Sequence, residues 1–267
     1  MSVRFLTPGR MLTPNVALQP GKLFGATLIP TTVGVMRRDD SKVVLVDVGF
    51  SQDELLDPAG RLGRLQSLFF GLRGTREDSA VAQLARAGIA ATDVVAIVAT
   101  HLHTDHVGGF CDFPNAEIVA PAAEYASARA RGKLRGYLHI GPIVQCGRAR
   151  PVRLHGEGRH GFPAHLDLFG DGRVLLLDAR GHTAGSLAVL LTDPGTGQAH
   201  LMAGDAAYSP GEYREGRQSP LARITAFRDD WLRATWGRLG AFGDAHPETP
   251  IVLSHDAEAF SHLPLVA

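Results

Sequence analysis

Thr100-His101-Leu102-His103-Thr104-Asp105-His106-Val107-Gly108-Gly109 carries three imidazoles and a carboxylate within six residues. Imidazole is the commonest transition-metal ligand, and carboxylate oxygens complete such sites. His101 and His103 are two apart, so in an extended segment their side chains leave on the same side. Asp105 and His106 can then turn toward a second ion about 3.5–4 Å from the first. Gly108-Gly109 is expected to let the backbone bend sharply and approach the site closely. A tag-like surface histidine tract is the rival reading. It does not fit the flanks, because an apolar run of strand length, 94–99, leads in and a Gly-Gly turn leads out.

Working outward, 25–36 and 42–48 are rich in β-branched and apolar residues and are joined by the polar turn Arg37-Arg38-Asp39-Asp40-Ser41. This predicts a hairpin whose second strand ends at Asp47-Val48-Gly49. Residues 50–76 read as irregular. Their apolar patch, 65–72 with Phe69 and Phe70, fits either a short helix on the core or a lid or interface segment. Val81, Leu84 and Ala85 share a face in 77–87, a helix closed by Gly88. A strand is expected at 116–120, then a helix opened by Pro121 and running to about residue 130. Residues 132–172, rich in Gly, Arg and His, yield no assignment. Strands follow at 174–178, 187–192 and 199–203, then a helix at 229–239 with Trp231, Leu232 and Trp236 on its apolar face. A last strand, 251–253, leads into Ser254-His255-Asp256. Strands and helices so mixed imply sheets covered by helices in stacked layers. The histidine-bearing segments follow strand ends, where loops on a rigid scaffold often carry chemistry.

Composition narrows the function. In 267 residues, Lys+Arg and Asp+Glu both number 27, so the formal net charge is zero and no basic stripe marks a nucleic-acid partner. The arginine clusters Arg129, Arg131, Arg135 and Arg148, Arg150, Arg153 read as solvated faces. Two cysteines, Cys111 and Cys146, suit neither a disulfide framework nor a cysteine-rich zinc site, and free thiols point to a reducing compartment. The opening MSVRFLTPGRMLTPN lacks the apolar stretch of a signal peptide, and no run is long enough to span a membrane. The expectation is a cytoplasmic protein with no membrane partner.

The His-x-His-x-Asp-His pattern of residues 101–106 resembles the signature of the metallo-β-lactamase superfamily. Later elements of that family's pattern follow in order: Gly181-His182-Thr183-Ala184-Gly185, Gly204-Asp205 and Ser254-His255. The resemblance implies one α/β domain over residues 1–267, an αββα sandwich of two mixed β-sheets flanked by helices. It implies that His101, His103 and His182 hold one metal and Asp105, His106 and His255 the other, with Asp205 joining them and Asp47 supporting the site from behind. Two divalent ions are implied, zinc by default, with cobalt, manganese or iron also accommodated by such donors. The other histidines (His139, His155, His160, His165, His200, His246, His262) match no family element and read as structural or surface, though one in 139–165 could touch substrate.

Two ions with open positions lower the pKa of bound water to about 7, so the family chemistry is hydrolysis by a bridging hydroxide. Asp105 is placed to shuttle the proton. Gly204-Asp205-Ala206-Ala207-Tyr208 resembles the N-acyl-homoserine lactonase branch, in which the equivalent tyrosine steadies the developing oxyanion; otherwise Tyr208 packs beneath the site. The expected function is a quorum-quenching lactonase acting on a small lactone or ester. A glyoxalase II-like thioesterase, an ester, phosphotriester or arylsulfate hydrolase, and an iron-dependent redox protein are the alternatives. Phe24, Leu68, Phe69, Phe70 and residues near 137–144 are candidates for an acyl-chain wall. The 65–72 patch could instead bury in a homodimer.

Overall fold

The run Val43-Val44-Leu45-Val46 is apolar at every position because both faces of its strand are covered. Val43 and Leu45 pack with Ile97 and Ile118 in one cluster. Val44 and Val46 pack with Val98, Val189 and Met202 in another. In the computed structural model, which describes residues 3–19, 21–193 and 195–266, this strand lies within a six-stranded sheet. The order is Arg4–Leu6, Val33–Arg37, Val43–Val46, Val94–Val98, Glu117–Pro121, Ala149–Val152. The first pairings are antiparallel and those from Val43–Val46 onward parallel.

A five-stranded sheet follows, in the order His165–Asp167, Val174–Asp178, Leu187–Thr192, Ala199–Gly204, Ile251–Leu253, antiparallel except for its last pair. The two sheets share one buried cluster, to which Val46 and Val98 contribute from one side and Leu176, Val189 and Met202 from the other. The far face of the first sheet is covered by helices Ala80–Arg86 and Ala122–Arg131, through Leu84, Tyr125 and Ala128. The far face of the second is covered by helix Asp229–Ala245, through Leu232, Trp236, Leu239 and Phe242. The result is the mixed four-layer α/β sandwich that the sequence led us to expect.

A third sheet, Ala26–Pro30, Arg10–Pro14, Leu72–Arg73, was not expected. It corrects the reading of 25–36 as one strand. Ala26–Pro30 pairs with Arg10–Pro14, the chain turns at Thr31-Thr32, and only Val33–Arg37 enters the expected hairpin with Val43–Val46. The break has local causes. Pro30 has no N–H to donate, and Thr31 is tied to the 7–9 loop by Thr31 N to Thr7 Oγ1 (3.1 Å) and Thr31 Oγ1 to the Pro8 carbonyl (3.0 Å).

Residues 50–76 are not irregular. They fold into helices Gln52–Leu56, Pro58–Leu62 and Arg64–Phe70. The first is opened by a capping box between Ser51 and Glu54 and the second by Asp57. Helix 77–87 resolves into a single turn, Arg76–Asp78, and helix Ala80–Arg86 started by the Ser79 hydroxyl. The unassigned 132–172 region holds helix Ile140–Gln145 and strands Ala149–Val152 and His165–Asp167. Among the described residues no helix is long and apolar enough to cross a membrane. Both cysteines are free and exposed.

Candidate metal centre

The strand Val94–Val98 delivers Thr100 to a fixed point. Thr100 N donates to Asp47 Oδ1 (2.7 Å) and its hydroxyl to Asp47 Oδ2 (2.8 Å). Asp47 ends its own strand at φ 60°, a left-handed conformation that non-glycine residues seldom adopt. From there the same carboxylate reaches His106 Nδ1 at 2.8 Å. His101 follows in a bend and His103 in extended backbone, and Asp105 and His106 lie on the one-turn helix Thr104–Val107. His182 sits beyond strand Val174–Asp178, Asp205 directly after Gly204, and His255 two residues past strand Ile251–Leu253. Gly204 has φ 58°, and a Cβ there would press on Thr100, so glycine is required on both counts. The expectation that Gly108-Gly109 makes a sharp bend is corrected. Gly108 has ordinary helical angles (φ −53°), and glycine is needed there for space, since a Cβ would collide with the Glu54 carboxylate.

The structure brings all seven side chains singled out in the sequence together as two adjacent groups, His101, His103, His182 and Asp105, His106, Asp205, His255. In the first, His103 Nδ1 lies 2.9 Å from His101 Nε2 and 3.1 Å from His182 Nε2. In the second, Asp205 Oδ1 lies 3.3 Å from His106 Nε2 and 3.2 Å from His255 Nε2. Asp105 Oδ2 lies 3.5 and 3.4 Å from the same two nitrogens. Asp205 Oδ2 turns the other way, 3.6 Å from His182 Nε2, so the carboxylate presents one oxygen to each group. The ring nitrogens facing away are engaged: His106 Nδ1 by Asp47, His255 Nδ1 by the Pro30 carbonyl at 2.7 Å. Such outer contacts fix the tautomer that leaves Nε2 free as a ligand. His106 Nε2 and Asp205 Oδ1 are buried without a hydrogen-bond partner. Orphaned buried polar atoms are costly, and cations between the two groups would satisfy both. The residues therefore fit a dinuclear metal centre.

The two groups differ electrically. Burial and then the neighbouring imidazoles hold His101 well below its ordinary range. Burial and His182 lower His103 to about 3, and burial lowers His182. These three are neutral donors. In the second group burial also opposes charge, but the Asp205 carboxylate, then Asp47 and Asp105, outweighs it and raises His106 well above its ordinary range. His255 is raised to about 10, burial being outweighed by Asp205 and Asp105.

A cavity of about 660 Å³ opens onto the centre, with His103, Asp105, His182, Asp205 and His255 at its base. Tyr208 is buried in its wall. Its hydroxyl donates to Asp205 Oδ2 (3.2 Å) and lies 3.3 Å from Thr225 Oγ1, and its ring stacks on His255. Burial, reinforced by Asp205, holds the phenol protonated far past neutrality. Of the candidate wall residues, Phe69, Phe70 and Tyr137 line the cavity, whereas Phe24 and Leu68 do not. Phe24 is 87% and Leu68 81% exposed. Met11 and Ile29, from the unexpected third sheet, and Arg131, Arg135, Ile224 and Phe227 also line the wall; nothing in their spacing pointed there.

Sequence reasoning also missed Glu124. This fully buried carboxylate accepts from Leu102 N (3.1 Å) and Gly185 N (3.0 Å), tying the His101–His103 segment to the His182 loop. Among the other histidines, His139 pairs with Glu54 (2.7 Å), His200 packs against Phe5, and His160 meets His246 (3.3 Å). None of these four lines the cavity.

The sequence matches the Metallo-beta-lactamase superfamily over residues 26–252. It is 31% identical over 239 residues to a probable metallo-hydrolase, Rv2300c, of Mycobacterium tuberculosis, covering 83% of this chain and 73% of that one. It is 25% identical over 218 residues to the N-acyl homoserine lactonase AttM of Rhizobium radiobacter, covering 82% and 79%. In fold it resembles a Bacillus thuringiensis AiiA variant with N-decanoyl-L-homoserine bound at its active site. The TM-score is 0.78 at 20% identity, over 98% of this chain and 96% of that one.

Proposed function

The chain belongs to the metallo-beta-lactamase superfamily, and on that premise we propose that it is a dinuclear metal-dependent hydrolase that opens lactone rings, N-acyl-homoserine lactones foremost. His101, His103 and His182 would hold one ion and Asp105, His106 and His255 the other, with Asp205 shared. Zinc suits these nitrogen and oxygen donors in a hydrolase. The reaction would be carried by a single domain, in the cytoplasm. Divalent ions there supply the acidity that makes water a nucleophile near neutral pH and polarises a carbonyl.

The chain's own residues do the rest. The cavity walls exclude bulk water and hold the acyl part against Met11, Ile29 and Phe69. Asp105 takes the proton from the attacking water and returns it to the leaving alkoxide oxygen. Tyr208 would turn its single phenolic hydrogen from Asp205 Oδ2 to the carbonyl oxygen as negative charge develops there. It is suited to this because it remains a protonated donor at every working pH. The single observation that carries the reading is the Asp205 carboxylate, which has one oxygen toward each histidine group and the Tyr208 hydroxyl 3.2 Å away. The test is hydrolysis by metal-loaded protein of acyl-homoserine lactones of short and long chain beside S-lactoylglutathione, a β-lactam and a phosphotriester. Lactone turnover above the others is expected. Silence toward every lactone, with turnover of the thioester, would replace the lactonase reading by the glyoxalase II-like one.

A further inference from the structure

Arg131 and Arg135 both line the cavity, and hydrolysis of a neutral acyl chain leaves them without a task. Arg131 ends helix Ala122–Arg131 and Arg135 ends the turn Lys133–Arg135 that follows. The Arg131 guanidinium lies 4.4 Å from the centroid of the Phe227 ring on the same wall. Neither arginine has a carboxylate within ion-pair distance among the described residues. The acidic groups of the cavity, Asp105 and Asp205, are both turned into the histidine cluster. In a chain of zero net charge, this leaves a local positive field beside an apolar wall of Leu65, Phe69 and Ile224.

The arginine turn is fixed relative to the centre. Gly136, its next residue, accepts from Thr104 N (2.9 Å) and Thr104 Oγ1 (2.8 Å), one residue past His103. The Tyr137 ring packs on His103 with centroids 4.6 Å apart. Gln66 Nε2 donates to the Lys133 carbonyl at 3.0 Å, joining the turn to the Arg64–Phe70 helix.

We propose that Arg131 and Arg135 bind an anionic group of the substrate, so that the preferred lactone or ester carries a carboxylate or phosphonate on its acyl part. This rests on the hydrolase reading above. Guanidinium presents planar paired donors that match either anion, and the Phe227 ring beneath Arg131 orients that residue's donors in advance.

The test uses three cyclic esters, N-acyl-homoserine lactones of one chain length whose acyl parts end in methyl, carboxylate or phosphonate. The wild type is expected to prefer an anionic tail by about tenfold in kcat/KM at low salt, through KM. That preference should shrink as ionic strength rises and collapse to about one in the Arg131→Met, Arg135→Met double variant. The relative rates of the two anionic esters identify which anion is preferred. A preference unchanged in the double variant, or a wild type favouring the methyl tail, overturns the proposal. Adipate binding by calorimetry to wild type and double variant gives a readout independent of turnover. If no ester is cleaved yet adipate binding is strong and lost in the variant, the hydrolase reading fails while the anion site stands.

Discussion

At the scale of single residues, Tyr208 carries the most chemistry for its size. Its phenol is buried, rests on Asp205 and Thr225, and stays protonated. Replacing it with Phe removes one donor and little volume. Tyr208→Phe is expected to lower kcat by about 10²-fold, as loss of an oxyanion donor does elsewhere, with metal content unchanged and stability within about 1 kcal/mol of wild type. Rate and metal analysis on the same sample check this, and an unchanged kcat would reduce Tyr208 to a packing residue. Tyr208 stood out in the sequence because it lies three positions beyond Asp205. Its contact with Thr225 did not, since that partner lies on a helix, Pro220–Thr225, that no apolar periodicity announced.

At the scale of elements, the centre depends on how loops from different strands are tied. Glu124 joins two of them by accepting from Leu102 N and Gly185 N, with no ligand of its own to offer. Glu124→Gln keeps the size but sets an amide N–H against one of those donors. We expect affinity for the ion at His101, His103 and His182 to fall by about tenfold while that of the other group changes less. Competition against a chelator resolves the two, and equal loss at both would show a general fold defect. Long strands buried on one or both faces were legible from their apolar runs. The three helices of residues 52–70 were not, because none reaches two full turns and each restarts at a cap or glycine. Arg10–Pro14 escaped notice because only Met11 in it is buried, so it has no apolar run, and Leu72–Arg73 because two residues carry no pattern. Glu124 escaped because its partners are backbone N–H groups 22 and 61 positions away.

At the scale of the whole molecule, zero net charge conceals two opposed local fields, the cationic rim at Arg131 and Arg135 and the anionic set around His106 and His255. The second has a consequence for pH. In metal-free protein His106 and His255 are held protonated at neutrality, whereas His101, His103 and His182 are neutral. An ion entering the Asp105, His106, Asp205, His255 group must therefore expel protons. Its affinity should rise with pH across neutrality and go on rising through the raised His255 value of about 10. The three-imidazole group has no proton to expel there, so its affinity should stay flat. Calorimetry in buffers of different ionisation heat counts the protons, and equal release for both ions would contradict the assignment.

The seven clustered side chains were readable because the family pattern sets them in chain order, and it also implied that Asp205 joins the two groups; the fold adds which oxygen faces which group. The central claim is that this carboxylate joins two ions in one buried centre. Metal stoichiometry of purified, metal-loaded wild type and Asp205→Ala, by mass spectrometry after exhaustive desalting, tests it most directly. Two ions per wild-type chain and a loss of at least one in the variant are expected; a wild type that retains fewer than two, or a variant that keeps both, would contradict it.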